Sequence, residues 1–320
     1  MRFVFALAAC LPSFAFADAQ AVIDQHITPG YAKFAETASQ LAETARNDCG
    51  PEAVLPAYHD TFDAWLGVSH ITFGPVEKDG RGFAISFWPD PKDRVAKGIG
   101  RLVSVQDPVV NDPEAFASVS VAAQGLNALE RLLIEPPEDA DYACALVQAV
   151  STALARNAAT LNQEWPEYAA LMVSPGNARF QSAEEVDRAI YTALSTGLEF
   201  LYDARLGRPL GTFDRPRPRR AETYRSARAQ RNVVLNLAAL QDLTMHFADT
   251  ETPETMLHFE TALTRAEALD DPDFSGVANP GKRIKIESIQ STVRELRIAV
   301  DAEIGAPMGI SAGFNALDGD

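Results

Sequence analysis

Apolar residues recur at helical spacing along most of the chain. Leu55, Tyr58, Phe62, Trp65 and Leu66 are three, four or one residues apart, which places them on one side of a helix. The same spacing recurs in two further stripes, Leu126, Leu129 and Leu133, and Val233, Leu237, Leu240 and Phe247. Strand-like alternation is scarce, and alanine-rich residues 143–162 favour helix by propensity. The pattern predicts an all-α fold.

Turn-forming residues divide this helical pattern. Ser174-Pro175-Gly176 lies near the middle of the chain, and about 300 residues are more than one hydrophobic core usually organises. We therefore predict two helical-bundle domains, residues 18–173 and 177–320. A weak similarity between residues 125–129 and 197–201 suggests that the two bundles are related.

The first residues have the pattern of an export signal. Arg2 precedes an apolar run, and Ala15-Phe16-Ala17 supplies a small-x-small cleavage signature. We expect a signal peptide over residues 1–17 and a periplasmic protein. In an alternative interpretation, Cys10 carries a lipid anchor. No later segment reaches the roughly 18–20 apolar residues that cross a bilayer, so no transmembrane segment is expected in the mature chain.

Charge and cysteine content narrow the function classes. A net charge of −16 argues against nucleic acid as a partner. Apart from Cys10, the chain contains Cys49 and Cys144, and an even pair in an oxidising compartment predicts a disulfide. The HExxH, GxSxG and P-loop motifs of common enzyme classes are absent from the sequence.

One short motif and several segments in a fixed order resemble a known family. Residues 125–130, Gly-Leu-Asn-Ala-Leu-Glu, resemble the Gly-x-His-x-x-Glu motif of imelysin-like proteins, with Asn127 in the histidine position. Further segments resemble that family in the expected order: Ala64-Trp65, Phe73-Gly74-Pro75, Phe87-Trp88-Pro89, Arg208-Pro209-Leu210-Gly211, residues 221–226, Asn236-Leu237 and residues 313–320.

The resemblance implies a location, a role and a ligand class. It implies two helical bundles at the cell envelope, iron-regulated expression, and a site between the domains that includes the motif helix. Iron, an iron chelate or haem is the ligand that it implies, and other envelope iron-uptake proteins are the implied partners. Some family members are classed as metallopeptidases. A secreted metallopeptidase is therefore one alternative, and an envelope scaffold without a small-molecule ligand is another.

Asn127 weakens the metallopeptidase alternative. On a helix, Asn127 and Glu130 project from the same face, opposite the leucine stripe. An amide oxygen is a weaker transition-metal ligand than an imidazole nitrogen, so Glu130 is left as the metal-ligand candidate of the motif. Metal-assisted hydrolysis needs a firmly held ion, and we therefore expect a binding protein rather than an enzyme. An ordinary solvated helix face is the competing interpretation of this pair.

A second polar group lies on the predicted helix after Pro218. Helical geometry places Glu222, Arg225 and Ser226 on the same side as the Val233 stripe. Polar groups directed at a core need partners, so these residues either form an internal Glu–Arg network or line an interdomain cavity opposite Glu130. The predicted ligand-binding residues are Gly125, Asn127, Glu130, Glu222, Arg225, Ser226 and, because it precedes the Phe73-Gly74-Pro75 turn, His70.

The remaining histidines and a basic segment have simpler interpretations. We expect His59 and Asp63 on a solvated helix flank, and His26, His246 and His258 at the surface. The basic segment, Arg215, Arg217, Arg219 and Arg220, is either a solvated connection or a place where guanidinium groups capture an anionic ligand such as a carboxylate-bearing iron chelate.

Overall fold

A computed structural model describes residues 18–248 and 251–310 of the chain. The predicted signal peptide, Cys10 and the closing segment 313–320 lie outside the described residues. Within the described ranges the chain forms helices and turns without a strand, apart from an isolated bridge between Thr212 and Arg215. The all-α prediction is confirmed.

Eight α-helices precede residue 174. They are α1 (Ala19–Val22), α2 (Thr28–Asn47), α3 (Pro51–Leu66), α4 (Arg81–Ile85), α5 (Arg94–Val105), α6 (Pro113–Phe116), α7 (Gly125–Ile134) and α8 (Ala140–Val173). A π-helical segment, Ile23–Ile27, joins α1 to α2, and short 3₁₀ helices cover Gly74–Gly80, Pro108–Asn111 and Val121–Ala123. Helices α2, α3, α7 and α8 pack against one another.

Five α-helices follow residue 182. They are α9 (Ala183–Phe200), α10 (Arg208–Leu210), α11 (Ala229–Phe247), α12 (Pro253–Glu267) and α13 (Pro280–Val300). Two π-helical segments, Leu201–Gly207 and Asp301–Gly305, extend α9 and α13, and 3₁₀ helices cover Pro218–Arg220, Tyr224–Ser226 and Ser275–Ala278. Helix α11 packs on α9 and α12, and α13 packs on α12 and α9.

Local sequence signals explain several helix ends. Asp139 caps α8 by accepting a hydrogen bond from the Tyr142 amide, and Asn279 caps α13 by accepting from Gly281. Helix α3 begins at Pro51, a first-turn position where the missing amide hydrogen costs nothing. The buried face of α3 includes Tyr58, Phe62, Trp65 and Leu66 of the predicted stripe, while Leu55 is partly buried beside it.

A disulfide joins the connection after α2 to the start of α8. Cys49 and Cys144 are bonded with their Cα atoms 5.3 Å apart and 95 residues apart in sequence. The predicted pairing is confirmed. Because α2 packs along α8, the bond links two elements that already lie side by side.

The two halves of the chain make direct contact. Helix α11 packs against α1 and α3, and the Tyr224–Ser226 turn packs against α7. Buried apolar residues from both halves belong to one connected core. The predicted boundary at residues 173–177 falls in the connection between α8 and α9, and the division into two domains remains a prediction. None of the described helices is long and apolar enough to cross a membrane.

Candidate functional site

Gly125 lets the motif helix begin against the end of α4. Its φ is +70°, a left-handed conformation that side chains disfavour. A Cβ atom at this position would overlap the backbone carbonyl oxygens of Ala84 and Ile85. The glycine therefore positions α7, and a hydrogen atom is all that fits in place of a side chain.

Asn127 is hydrogen-bonded within the protein. Its side chain is 8% exposed, and its Oδ1 accepts a hydrogen bond of 3.0 Å from the Ser86 hydroxyl. Ser86 immediately follows α4, the helix on which Gly125 rests. The first turn of the motif helix thus contacts the same segment through both Gly125 and Asn127.

Glu130 binds Ser226 from the other half of the chain. Its Oε1 accepts hydrogen bonds from the Ser226 amide, at 3.0 Å, and from the Ser226 hydroxyl, at 2.7 Å. Burial raises the pKa of Glu130 above its usual value, and the Ser226 bonds and the charge of Arg225 partly offset that effect. The solvated-face interpretation of Asn127 and Glu130 is wrong, because both side chains are buried where α7 meets the Tyr224–Ser226 turn.

Arginines dominate the cleft above this contact. The lining of the arginine cleft, of about 320 Å³, includes Trp88, Asn127 and Glu130 and, from the segment before α11, Thr223 and Tyr224. The charged residues that line the cleft are five arginines and three carboxylates: Arg131, Arg208, Arg219, Arg220, Arg225, Asp90, Asp93 and Glu130. In a chain of net charge −16, this cleft has an excess of positive charge.

Some of these arginines already have carboxylate partners. Arg225 donates to Glu135 at 3.0 Å, and Arg131 lies 3.3 Å from Glu135 and 3.9 Å from Asp93. Arg219 and Arg220 are exposed and form no ion pair with any described residue. Both therefore present free guanidinium groups at the cleft.

The prediction of a helix that begins at Pro218 is wrong, and Glu222 therefore does not lie on a helix face. Helix α11 begins at Ala229, because Thr223 and Ala227 have left-handed backbone conformations that no helix can include. The preceding segment forms two 3₁₀ turns. Ser226 and Arg225 consequently bind side chains at α7 and its C-terminal end, Glu130 and Glu135, whereas Glu222 binds Arg205 and Asn232.

Glu222 forms a buried ion pair with Arg205, a partner that the helical spacing after Pro218 did not indicate. It accepts a 2.8 Å hydrogen bond from Arg205 Nε and a 3.0 Å bond from Asn232. Arg205 also donates to Asn236 at 3.2 Å and lies 4.9 Å from the centroid of the Phe200 ring. A signal was present, since Arg205 continues the apolar stripe of Leu194, Leu198 and Leu201 at helical spacing.

His70 belongs to a second buried group of hydrogen-bonded side chains. Its Nε2 lies 2.9 Å from Nε2 of His26, and His26 Nδ1 lies 2.6 Å from Oδ2 of Asp242. Burial lowers the pKa of His70 well below its usual value, with the charges of His26 and Arg205 acting in the same direction. The expectation of a surface His26 is wrong, because packing of the N-terminal segment on α11 buries it beside Asp242.

The solvated flank expected at His59 and Asp63 is also wrong. Asp63 forms ion pairs with Arg228 and Arg231, and Arg228 lies 2.9 Å from His59 Nδ1. Burial raises the pKa of Asp63, but hydrogen bonds from Arg231 and Arg228 outweigh it and lower that pKa overall. These ion pairs connect α3 to the start of α11. His246 and His258 are partly exposed.

His70 and Glu222 line a different cleft from Glu130. This aromatic cleft, of about 700 Å³, has Trp65, Phe83, Trp88 and Phe200 among its lining residues, together with His70, Arg205 and Glu222. Trp88 lines both clefts. The structure therefore brings Asn127, Glu130, Arg225 and Ser226 together, whereas His70 and Glu222 line the aromatic cleft. Among the described residues, no group of three or more His, Cys, Asp or Glu side chains is arranged to hold a metal ion.

The chain is similar to known proteins over most of its length. The family model for imelysin matches residues 27–300. Iron-regulated protein A of Synechococcus elongatus is 20% identical over 316 residues, covering 89% of this chain and 84% of that protein.

Two solved structures have the same fold. An imelysin-like protein from Psychrobacter arcticum 273-4 superposes with a TM-score of 0.73 at 18% identity, covering 92% of this chain and 96% of the other. A putative iron-regulated protein A precursor from Parabacteroides distasonis ATCC 8503 also has a TM-score of 0.73, at 12% identity, covering 92% and 94%.

Proposed function

The chain belongs to the imelysin family, and from that premise we propose that it is a periplasmic binding component of iron acquisition. The ligand proposed for the arginine cleft is an anionic iron chelate. The observation that supports this most directly is the excess of arginine over carboxylate in one cleft of an otherwise acidic protein. The similarity to iron-regulated protein A supports an iron-related role.

The free arginines suit a carboxylate-bearing ligand. Arg219 and Arg220 have no carboxylate partner among the described residues, and a guanidinium group binds a carboxylate through two parallel hydrogen bonds. A cleft of about 320 Å³ falls in the range of small-molecule sites. The Arg208 side chain, which lines the same cleft, adds a third positive charge.

The polar groups of the motif helix support recognition of a complete chelate. Asn127 Oδ1 already accepts from Ser86, and Glu130 Oε1 already accepts two hydrogen bonds from Ser226. Glu130 Oε2 is the oxygen of this pair that accepts no hydrogen bond from a described residue, and one carboxylate oxygen is too few ligands to hold a bare ion. A chelate brings its own ligands to the iron, so the protein needs to recognise its outer carboxylates alone.

Titration calorimetry with ferric citrate and with iron-free citrate tests the proposal. We expect ferric citrate to bind, and Arg219→Gln/Arg220→Gln to weaken its binding at least tenfold, with a steep dependence on salt. Arg215→Gln is the matched control, because Arg215 is exposed in the same basic segment but does not line the cleft. Absence of binding, or an equal loss in the control, contradicts the proposal.

The same preparation tests the metallopeptidase alternative. Incubation with an unfolded polypeptide should leave the substrate intact. Cleavage that a chelator abolishes and that Glu130→Ala removes would replace the binding function with a hydrolytic one.

A further inference from the structure

The aromatic cleft has the features of a second binding site. Its volume of about 700 Å³ is twice that of the arginine cleft, and no α7 residue lines it. Trp65, Trp88 and Phe200 contribute ring surface, and Phe83 at its edge is 63% exposed. Broad apolar walls with a few polar groups are typical of sites for organic ligands.

The charge of this cleft is opposite to that of the arginine cleft. Four carboxylates line it, Glu77, Glu199, Asp203 and Glu222, whereas Arg205 is the one cation among the lining residues that the structure describes. Arg205 and Glu222 neutralise each other at 2.8 Å. Glu77 and Glu199 have distant arginine partners at 3.7 and 3.8 Å. Asp203 is exposed and forms no ion pair or hydrogen bond with a described residue.

A chain of hydrogen bonds leaves one nitrogen of His70 without a partner. Hydrogen bonding by His26 lowers the pKa of Asp242, so its carboxylate accepts and His26 Nδ1 donates. In the tautomer in which His26 Nε2 accepts, His70 Nε2 is the donor and His70 Nδ1 is an unprotonated acceptor. His70 Nδ1 has no hydrogen-bond partner among the described residues.

In this tautomer, His70 offers a buried acceptor on a ring that lines an acidic, aromatic cleft. Its side chain is 3% exposed, and a buried acceptor without a donor is costly. An ammonium group supplies the missing donor and also complements the carboxylates. Aromatic faces attract cations as well as apolar rings.

We propose that the aromatic cleft binds an organic amine cation with a flat apolar body. The apolar body packs between Trp65, Trp88 and Phe200, and the ammonium group donates to His70 Nδ1 within the field of Asp203. This site goes beyond the proposed function, since it lies in another cleft and selects the opposite charge.

A matched set of three ligands tests the charge preference. The probes are 2-(1-naphthyl)ethylamine, 2-(1-naphthyl)ethanol and 1-naphthylacetate, which share one ring system and differ in charge. Calorimetry at neutral pH should show the amine binding about tenfold tighter than the alcohol, and the acid binding weakest. Equal affinities, tighter binding of the acid, or no amine binding at millimolar concentration overturns the proposal.

Two variants test the assigned contacts. His70→Gln retains a donor for His26 and removes Nδ1, and we expect about tenfold weaker amine binding with little effect on the alcohol. Asp203→Asn should weaken amine binding about threefold in low salt. Asp214→Asn is the matched control, because Asp214 is exposed and lines neither cleft. Amine affinity that is unchanged in both test variants refutes the site.

The two clefts are distinguished by exchanging probes and variants. Arg219→Gln/Arg220→Gln should leave amine binding unchanged, and His70→Gln should leave ferric citrate binding unchanged. A wild-type protein that prefers the amine but does not bind ferric citrate contradicts the proposed function, whereas one that binds ferric citrate without preferring the amine contradicts the second site. Displacement of the amine by ferric citrate would show one shared site and overturn this inference.

Discussion

Replacing Gly125 tests whether the first residue of the motif helix is required by backbone geometry. In Gly125→Ala, the left-handed φ of +70° costs roughly 1–2 kcal/mol for a residue with a Cβ. The new methyl group also overlaps two backbone carbonyls, of Ala84 and Ile85, which cannot rotate away as a side chain would. Such overpacking adds about 1–3 kcal/mol, so we expect a total loss of about 2–5 kcal/mol.

The matched control is another glycine on a neighbouring helix. Gly100 on α5 is exposed, and an added Cβ would meet no atom within 4 Å. Gly100→Ala should therefore stabilise the protein by about 0.5–1 kcal/mol. Urea unfolding followed by circular dichroism measures both free energies. The explanation fails if Gly125→Ala unfolds within about 1 kcal/mol of the wild type, or if the two variants change stability alike.

Three further predictions also concern the free energy of unfolding in urea. Replacing Cys49 and Cys144 by alanine should cost about 4–5 kcal/mol, because a closed loop spanning 95 residues is released, and an unchanged urea midpoint would contradict this. Arg205→Met should cost about 3–5 kcal/mol by leaving Glu222 buried without its cation, and a loss below about 1 kcal/mol would show that the pair is solvated. Burial raises the pKa of Glu130, so ionising it weakens the folded state as pH rises through that pKa. Glu130→Gln should therefore gain stability relative to the wild type as pH rises above the ordinary glutamate pKa of about 4.3, and a constant or shrinking difference would refute the assignment.

Helical periodicity places polar residues on helix faces but does not identify their partners. Glu222 was expected either in an internal network or in a cavity, and the structure shows a buried network that also lines a cleft. Its cation, Arg205, comes from the π-helical extension of α9 rather than from Arg225. His26 was expected at the surface because nothing in its local spacing points to Asp242, which lies 216 residues away.

The sequence by itself determined the features that depend on short-range order. Helical periodicity indicated the all-α class, the order of several short segments together with the motif at Gly125 indicated the family, and the count of cysteines indicated the disulfide. Tertiary structure alone decided that α11 starts at Ala229, since the left-handed residues Thr223 and Ala227 carry no glycine signal and the turn they form packs against α7. It also decided that the polar residues divide between two clefts of opposite charge. Periodicity defines which side of a helix is buried, whereas the neighbour that buries it is selected by packing between segments far apart in the chain.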